Sequence, residues 1–235
     1  MIRTRTDGDV RVVTIDRPAA RNALRPADLT DLREAFEAPE SDGRPPVTYL
    51  RGAGEAFCAG ADLDVVGALD DPEAFARRGQ RVAAAIEESP SVVVCGVDGA
   101  ARGGGVELAL AADVRVATPR ATFGEPGVSL GLFGAWGGTV RLPRVMGEGE
   151  ALDFALSGRV LDAEAARRTG LVSRVVDDPR SVADEIAAGA SDALAAIKCR
   201  VRDRGDDEAQ ERAEAAAFAD LHDAHAAEIA RRRER

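Results

Sequence analysis

The chain has 235 residues, with 41 acidic against 31 basic side chains, a formal net charge of -10, and 45% hydrophobic and 31% charged residues. This length suits one domain of ordinary to large size, with or without a small helical appendage, and the composition excludes collagen-like, coiled-coil and disordered chains. The acidic balance repels phosphate backbones and anionic lipid, which argues against nucleic-acid and membrane partners.

The apolar, β-branched run Val10–Ile15 predicts a strand that stops at Asp16-Arg17-Pro18, and residues 27–37 predict a helix with Leu29, Leu32 and Phe36 at helical spacing. A second strand is expected over residues 47–50, then a long small-residue loop over 52–62 and a helix over 73–88. Val92–Val97 is the third strand. The glycine-rich segment 98–105 permits positive-φ turns and opens a helix over 106–112. Val114–Ala117 is a further strand, residues 124–138 are again glycine-rich, and helices are expected over 147–157 and 163–169 before a last strand over 171–176. Everything from 181 to 235 reads as helical and ends in Arg231-Arg232-Arg233-Glu234-Arg235, a basic run that suits a solvated helix C-terminus. Strands alternating with helices predict an α/β fold.

Cys58, Cys95 and Cys199 are far apart, form no C-x-x-C pair and read as reduced thiols. The first residues lack an apolar signal core, and no apolar run approaches the ~18 residues of a membrane helix. The expectation is a cytoplasmic protein. Lys198 is the only lysine beside many arginines, so single arginines carry little weight as markers of function.

Several chemistries compete for the glycine-rich segments. A dinucleotide fingerprint beginning at Gly52-Ala53-Gly54 needs glycine where Phe57 stands, and a phosphate-binding loop needs a G-K-[ST] that the sole lysine cannot supply. Gly127-Val128-Ser129-Leu130-Gly131 satisfies the G-x-S-x-G of serine hydrolases, with Asp177 or Asp178 and His222 or His225 following in order. Yet an elbow needs a strand before Ser129 and a helix after it, and neither is readable there. His222 and His225 have no third ligand, so no metal site is expected.

Two segments together point elsewhere: Ala56-Phe57-Cys58-Ala59-Gly60-Ala61-Asp62-Leu63, and Gly99-Ala100-Ala101-Arg102-Gly103-Gly104-Gly105-Val106-Glu107-Leu108-Ala109-Leu110-Ala111-Ala112-Asp113. With Arg17-Pro18, Asn22-Ala23-Leu24, Phe123-Gly124-Glu125-Pro126, Gly137-Gly138-Thr139, Ser157-Gly158-Arg159 and Gly170-Leu171-Val172, they resemble the crotonase (enoyl-CoA hydratase/isomerase) superfamily, in family order over residues 10–178. The resemblance implies an α/β crotonase (ClpP-like) spiral of ββα units over residues 1–178. It also implies a C-terminal helical oligomerisation region over 179–235 that assembles a homotrimer or a dimer of trimers. The substrate implied is an acyl-CoA thioester, with no cofactor beyond the coenzyme A it carries.

By position, the resemblance makes the N–H groups of Ala61 and Gly104 the oxyanion hole for the thioester oxygen, and Glu107 the general acid/base. It places Arg21, Ala23, Ala59, Asp62 and Leu63 near coenzyme A. Glycine runs beside a helix N-terminus suit main-chain donors aimed at an oxyanion. The chain departs from the family at Gly127, where a second glutamate is usual, so Glu125 two positions earlier is the candidate substitute. It departs again at Gly134, usually proline, and at Trp136, usually small, which is expected to reshape the acyl pocket. Arg102, next to the oxyanion glycines, is expected to meet a carboxylate or the coenzyme A phosphates. The favoured activity is acyl-CoA hydration or dehydration. The alternatives are double-bond isomerisation, a specialised step on an unusual acyl group, or an auxiliary acyl-CoA-binding subunit without turnover.

Overall fold

The computed structural model describes residues 1–37 and 46–233. It opens with an antiparallel pair, β1 (Ile2–Asp7) and β2 (Val10–Ile15), followed by α1 (Pro26–Glu37). A repeating turn of long strand, short strand and helix then begins. Its first round is β3 (Val47–Gly52), β4 (Ala56–Cys58), α2 (Leu63–Val66) and α3 (Pro72–Glu87); its second is β5 (Val92–Val97), β6 (Ala100–Arg102) and α4 (Gly104–Ala111). The third is β7 (Val114–Ala117), β8 (Thr122–Gly124), a 3-10 turn at Pro126–Leu130, α5 (Gly138–Met146) and α6 (Glu148–Ser157). β9 (Val160–Asp162), α7 (Ala163–Arg168), β10 (Arg174–Val175), α8 (Arg180–Ala187), α9 (Ser191–Arg202) and α10 (Asp207–Arg233) complete the order.

Because each round gives its long strand to one layer and its short strand to another, two sheets grow side by side. One has the order β1-β2-β3-β5-β7-β10 and the other β4-β6-β8-β9. All pairings are parallel except β1 with β2 and β8 with β9. This is the spiral of ββα units that the resemblance implies.

The long strands were legible because they are buried on both faces and so read as continuous apolar runs. Val13, Ile15, Leu50, Val93, Cys95 and Val97 face one core with Phe57, Ile86 and Leu108. Val10, Val12, Val47, Tyr49, Val92 and Val94 face another, covered by Val182 and Ala183 of α8. Each such side chain removed from water contributes about 1.5–3 kcal/mol. The short strands β4, β6, β8 and β9 have three residues each, too few to show a period, and β1 is largely exposed. α5 also escaped the sequence reading, because Pro143 lies inside it. The expected strand over 171–176 shrinks to Arg174–Val175. The last two residues of the basic C-terminal run lie outside the described residues.

α9 is fastened beneath the spiral by ion pairs. Lys198 Nζ meets Asp113 Oδ2 at 2.8 Å, Arg202 bridges Asp113 and Glu87 at 2.7 and 2.8 Å, and Arg141 of α5 reaches the same Glu87. The only lysine of the chain is thus a structural one.

Asn22 governs the entrance to the first small-residue loop. It is fully buried at a φ of 61°, a left-handed conformation asparagine tolerates, and its Nδ2 donates to the carbonyls of Ala53, Ala56 and Phe57 at 2.8–3.1 Å. Its Oδ1 accepts from the Arg17 amide at 2.8 Å. Replacing it leaves these buried groups without partners. Asn22→Ala is expected to destabilise the fold by about 2 kcal/mol or more, read as a lowered midpoint in urea at unchanged slope.

Candidate active site

Two loops meet where β4 and β6 end. On the first, Leu24 N donates to Gly60 O at 2.8 Å and Asp62 N donates to Leu24 O at 3.0 Å, forming an isolated parallel bridge. Neighbouring amides of an extended segment point to opposite sides, so the Ala61 N–H faces away from Leu24. There, Gly103 takes a φ of 47° and ends just before α4, leaving the Gly104 N–H at the first helical position with no intrahelical acceptor. Gly60, at φ 85°, lets the loops touch: a Cβ on it would stand 2.6 Å from Arg102 O and 2.9 Å from Gly104 N. Ala61 and Gly104 are therefore brought together, each with an amide that no described protein acceptor takes.

The flank of the first loop is held by charge. Arg17 Nη1 meets Asp62 Oδ2 at 2.6 Å and also donates to the Ala23 carbonyl at 3.1 Å, and the Arg17 hydrogen bond holds the Asp62 carboxyl below its usual range. Asp62 Oδ1 caps α2 through the Asp64 amide. Ala59 N donates to Arg21 O, which places Arg21, Ala23, Ala59 and Asp62 along one rim. Leu63 beside them keeps 65% of its surface exposed. Sequence reasoning missed Arg17 as an organiser, since its role depends on a partner 45 residues away.

Glu107 lies on α4, whose eight residues are all buried. Its Oε1 accepts from the amides of Trp136 and Gly138, both at 2.7 Å, and none of the described donors reaches Oε2. Burial pushes its carboxyl up to about 7, against the pull of these two amides and of Arg141. Glu125 is also buried, and its Oε1 has no hydrogen-bond partner. Burial first, and the Glu107 charge second, push it up to about 8. The two carboxylates converge on Gly134: a Cβ there would stand 3.0 Å from Glu107 Oε1 and 3.0 Å from Glu125 Oε2. Glycine at 134, where the resemblance implies proline, lets the backbone pass this close to both.

Trp136 is buried, edge-on to Phe75 with ring centroids 5.9 Å apart. Its ring occupies the places where Cβ atoms on Gly79 and Gly104 would be. It thus packs directly against Gly104, between α3 and α4. Gly79 was overlooked in the sequence, although a glycine inside a strong helix pattern is itself a signal of close packing.

One other expectation is corrected. Arg102 meets no carboxylate among the described residues: its guanidinium donates to Ala101 O, Thr122 O and Thr122 Oγ1 at 2.9–3.1 Å and so fastens β6 to β8. Ser129 sits in the 3-10 turn, not an elbow, and its hydroxyl donates to Pro126 O. His225 pairs with Asp192, and among the described residues no group of three metal-ligating side chains exists.

The raised carboxyls tie stability to pH. Both groups hold protons more tightly folded than unfolded, so their contribution is complete below their ordinary value of 4.5 and is lost as pH climbs through about 7 and about 8. Glu125→Gln is expected to shrink the fall in unfolding free energy between pH 5 and pH 9 by a few kcal/mol, measured by urea denaturation across that range.

A family model described as enoyl-CoA hydratase/isomerase matches residues 5–231. The crotonyl-CoA hydratase of Syntrophomonas wolfei subsp. wolfei is 39% identical over 178 residues, covering 74% of this chain and 68% of that protein. The short-chain-enoyl-CoA hydratase of Clostridium acetobutylicum is 38% identical over 186 residues, covering 77% and 71%. The crystal structure of enoyl-CoA hydratase from Thermoplasma volcanium GSS1 matches with a TM-score of 0.88 at 32% identity, covering 94% of this chain and 91% of that one. With the two-loop geometry and the spiral, these matches assign the chain to the enoyl-CoA hydratase/isomerase family.

Proposed function

We propose that the protein adds water to, or removes it from, a short acyl-CoA thioester. Ala61 and Gly104 supply the two N–H donors for the thioester oxygen, which takes up negative charge as the enolate forms, and Glu107 is the general acid/base. Preorganised donors of this kind contribute about 3–4 kcal/mol each to the transition state. The observation that carries the reading is Glu107: a carboxylate buried in an apolar helix, pinned at one oxygen by two amides and placed one helical turn from the Gly104 donor. Such burial is costly, and its cost is explained by a group that must pass protons near neutral pH.

The rim formed by Arg21, Ala23, Ala59, Asp62 and Leu63 receives coenzyme A, mostly through main-chain groups. Trp136 shortens the acyl pocket beside Gly104, in line with the two relatives whose names specify crotonyl and short-chain enoyl substrates. Exposed Phe218 and Ile229 on α10, and Ile197 and Val201 on α9, support assembly as a trimer or a dimer of trimers. No helix among the described residues is long and apolar enough to cross a membrane.

Incubation with crotonyl-CoA in heavy water tests the activity, followed by loss of the conjugated thioester absorbance and by deuterium entry at C2. Hydration with C2 label is the expected result; coenzyme A binding without either would leave only a binding role. Glu107→Gln is expected to lower kcat by about 10²–10⁴-fold while coenzyme A binding is retained. Trp136→Ala is expected to raise kcat/KM for an eight-carbon enoyl-CoA at least tenfold relative to crotonyl-CoA, measured by competition between the two substrates.

A further inference from the structure

We propose that Glu125 is the second catalytic carboxylate of this site, carrying the proton exchanged at C2 of the acyl group while Glu107 activates the water that adds at C3. The inference rests on the acyl-CoA reading above and names a residue for a role that the family's usual position leaves empty.

Three observations support it. First, the two carboxylates converge on Gly134, where a Cβ would stand 3.0 Å from an oxygen of each, so the two carboxyls lie close together. Second, Glu125 borders a cavity of about 30 Å³, walled also by Val128, Phe133, Gly134, Leu142 and Ala155. That volume suits a single water molecule. Its Oε1 is buried with no partner, and neither a basic side chain nor a backbone amide of the described residues holds it, so the fold gives no structural reason for a carboxyl there.

Third, a side chain at position 127 would be crowded as the chain is folded. Gly127 O accepts from Leu132 N at 2.9 Å, and a Cβ on Gly127 would stand 3.0 Å from Leu132 O and 3.2 Å from Phe133 Cα. Leu132 and Phe133 thus pack against the place where a side chain at 127 would begin. The next residue, Gly134, lies against both Glu107 and Glu125.

The step balances. Glu107 takes a proton from water as the water oxygen bonds to C3. The C2=C3 electron pair moves into the thioester, whose oxygen faces the Ala61 and Gly104 amides. Protonated Glu125 then gives its proton to C2 as the enolate collapses, so that H and OH have been added across the double bond. Glu107 ends protonated and Glu125 ionised, and one proton passes between them to reset the pair. Dehydration runs the same steps in reverse. The initial state matches the order of ionisation: Glu107 has two amide donors and Arg141 nearby, whereas Glu125 has no donor and feels the Glu107 charge, so Glu107 ionises first.

The test compares wild-type protein with Glu125→Gln, both shown to be folded by thermal melting. It uses hydration of crotonyl-CoA and exchange of the C2 hydrogens of butyryl-CoA in heavy water, a reaction that needs the oxyanion donors and a C2 base but no water addition. Hydration is expected to fall about 10²–10⁴-fold and C2 exchange to be lost. Butyryl-CoA binding, read by the fluorescence of the sole Trp136, is expected to stay within threefold. If Glu125→Gln melts early, Glu125→Ala with added formate replaces it, and restored C2 exchange is expected. Hydration within threefold of wild type in Glu125→Gln, or no formate rescue of Glu125→Ala, overturns the role of Glu125 alone. Wild-type protein that binds butyryl-CoA yet neither hydrates crotonyl-CoA nor exchanges at C2 overturns the acyl-CoA chemistry as well.

Discussion

A buried carboxylate sets the conditions that the rest of the site must meet. Glu107 is drawn into the interior by an apolar helix, where a charge without partners would be costly, and the two amides at Trp136 and Gly138 make it tolerable. For those amides to reach Oε1, the chain around them must pass within van der Waals distance of the carboxyl. That is why Gly134 and Gly138 carry no side chain: a Cβ on either would stand about 3 Å from Glu107. The loop from Gly134 to Gly138 is thus shaped by the acid it solvates. Its closing also determines what else can enter the site.

The same economy of space governs the opposite wall. The loops carrying Ala61 and Gly104 approach closely because Gly60 adopts a positive φ and presents no Cβ to Arg102 and Gly104. Trp136 then fills the hollow above Gly104 and Gly79, backed by Phe75. A large ring lies where the resemblance implies a small residue, and the mid-helix Gly79 on α3 is its counterpart. Behind this wall, Glu87, Asp113, Arg141, Lys198 and Arg202 bind α3, the end of α4, α5 and α9 into one half-buried ionic network. Removing one member of such a network leaves the others buried with an uncompensated charge, so its integrity matters more than any single pair.

Much of the spiral was legible because the long strands are buried on both faces, as in Val92–Val97, and because amphipathic helices such as α3 keep their period over four turns. The short strands were not, since three residues such as Ala56-Phe57-Cys58 carry no periodicity and are strands only because β6 lies beside them. The candidate site was legible as a set of motifs. Its organisers, Arg17 and Gly79, were invisible because each acts through a partner remote in sequence, Asp62 in one case and Trp136 in the other. Arg102 was misread for the same reason, as its carbonyl and hydroxyl partners on β8 come into reach only through sheet pairing.

The sequence by itself determined the family, through an ordered series of glycine-rich and polar motifs, and marked the two loops that carry Ala61 and Gly104 and the apolar helix that carries Glu107. It also showed that the second glutamate is absent at Gly127. What only the tertiary structure decided is that Glu125 lies close to Glu107. Their nearness depends on how the segment from Leu132 to Gly134 packs against Gly127 and the two carboxyls. That packing is a matter of backbone contacts between residues whose identities, read in order, carry no record of the distance between them.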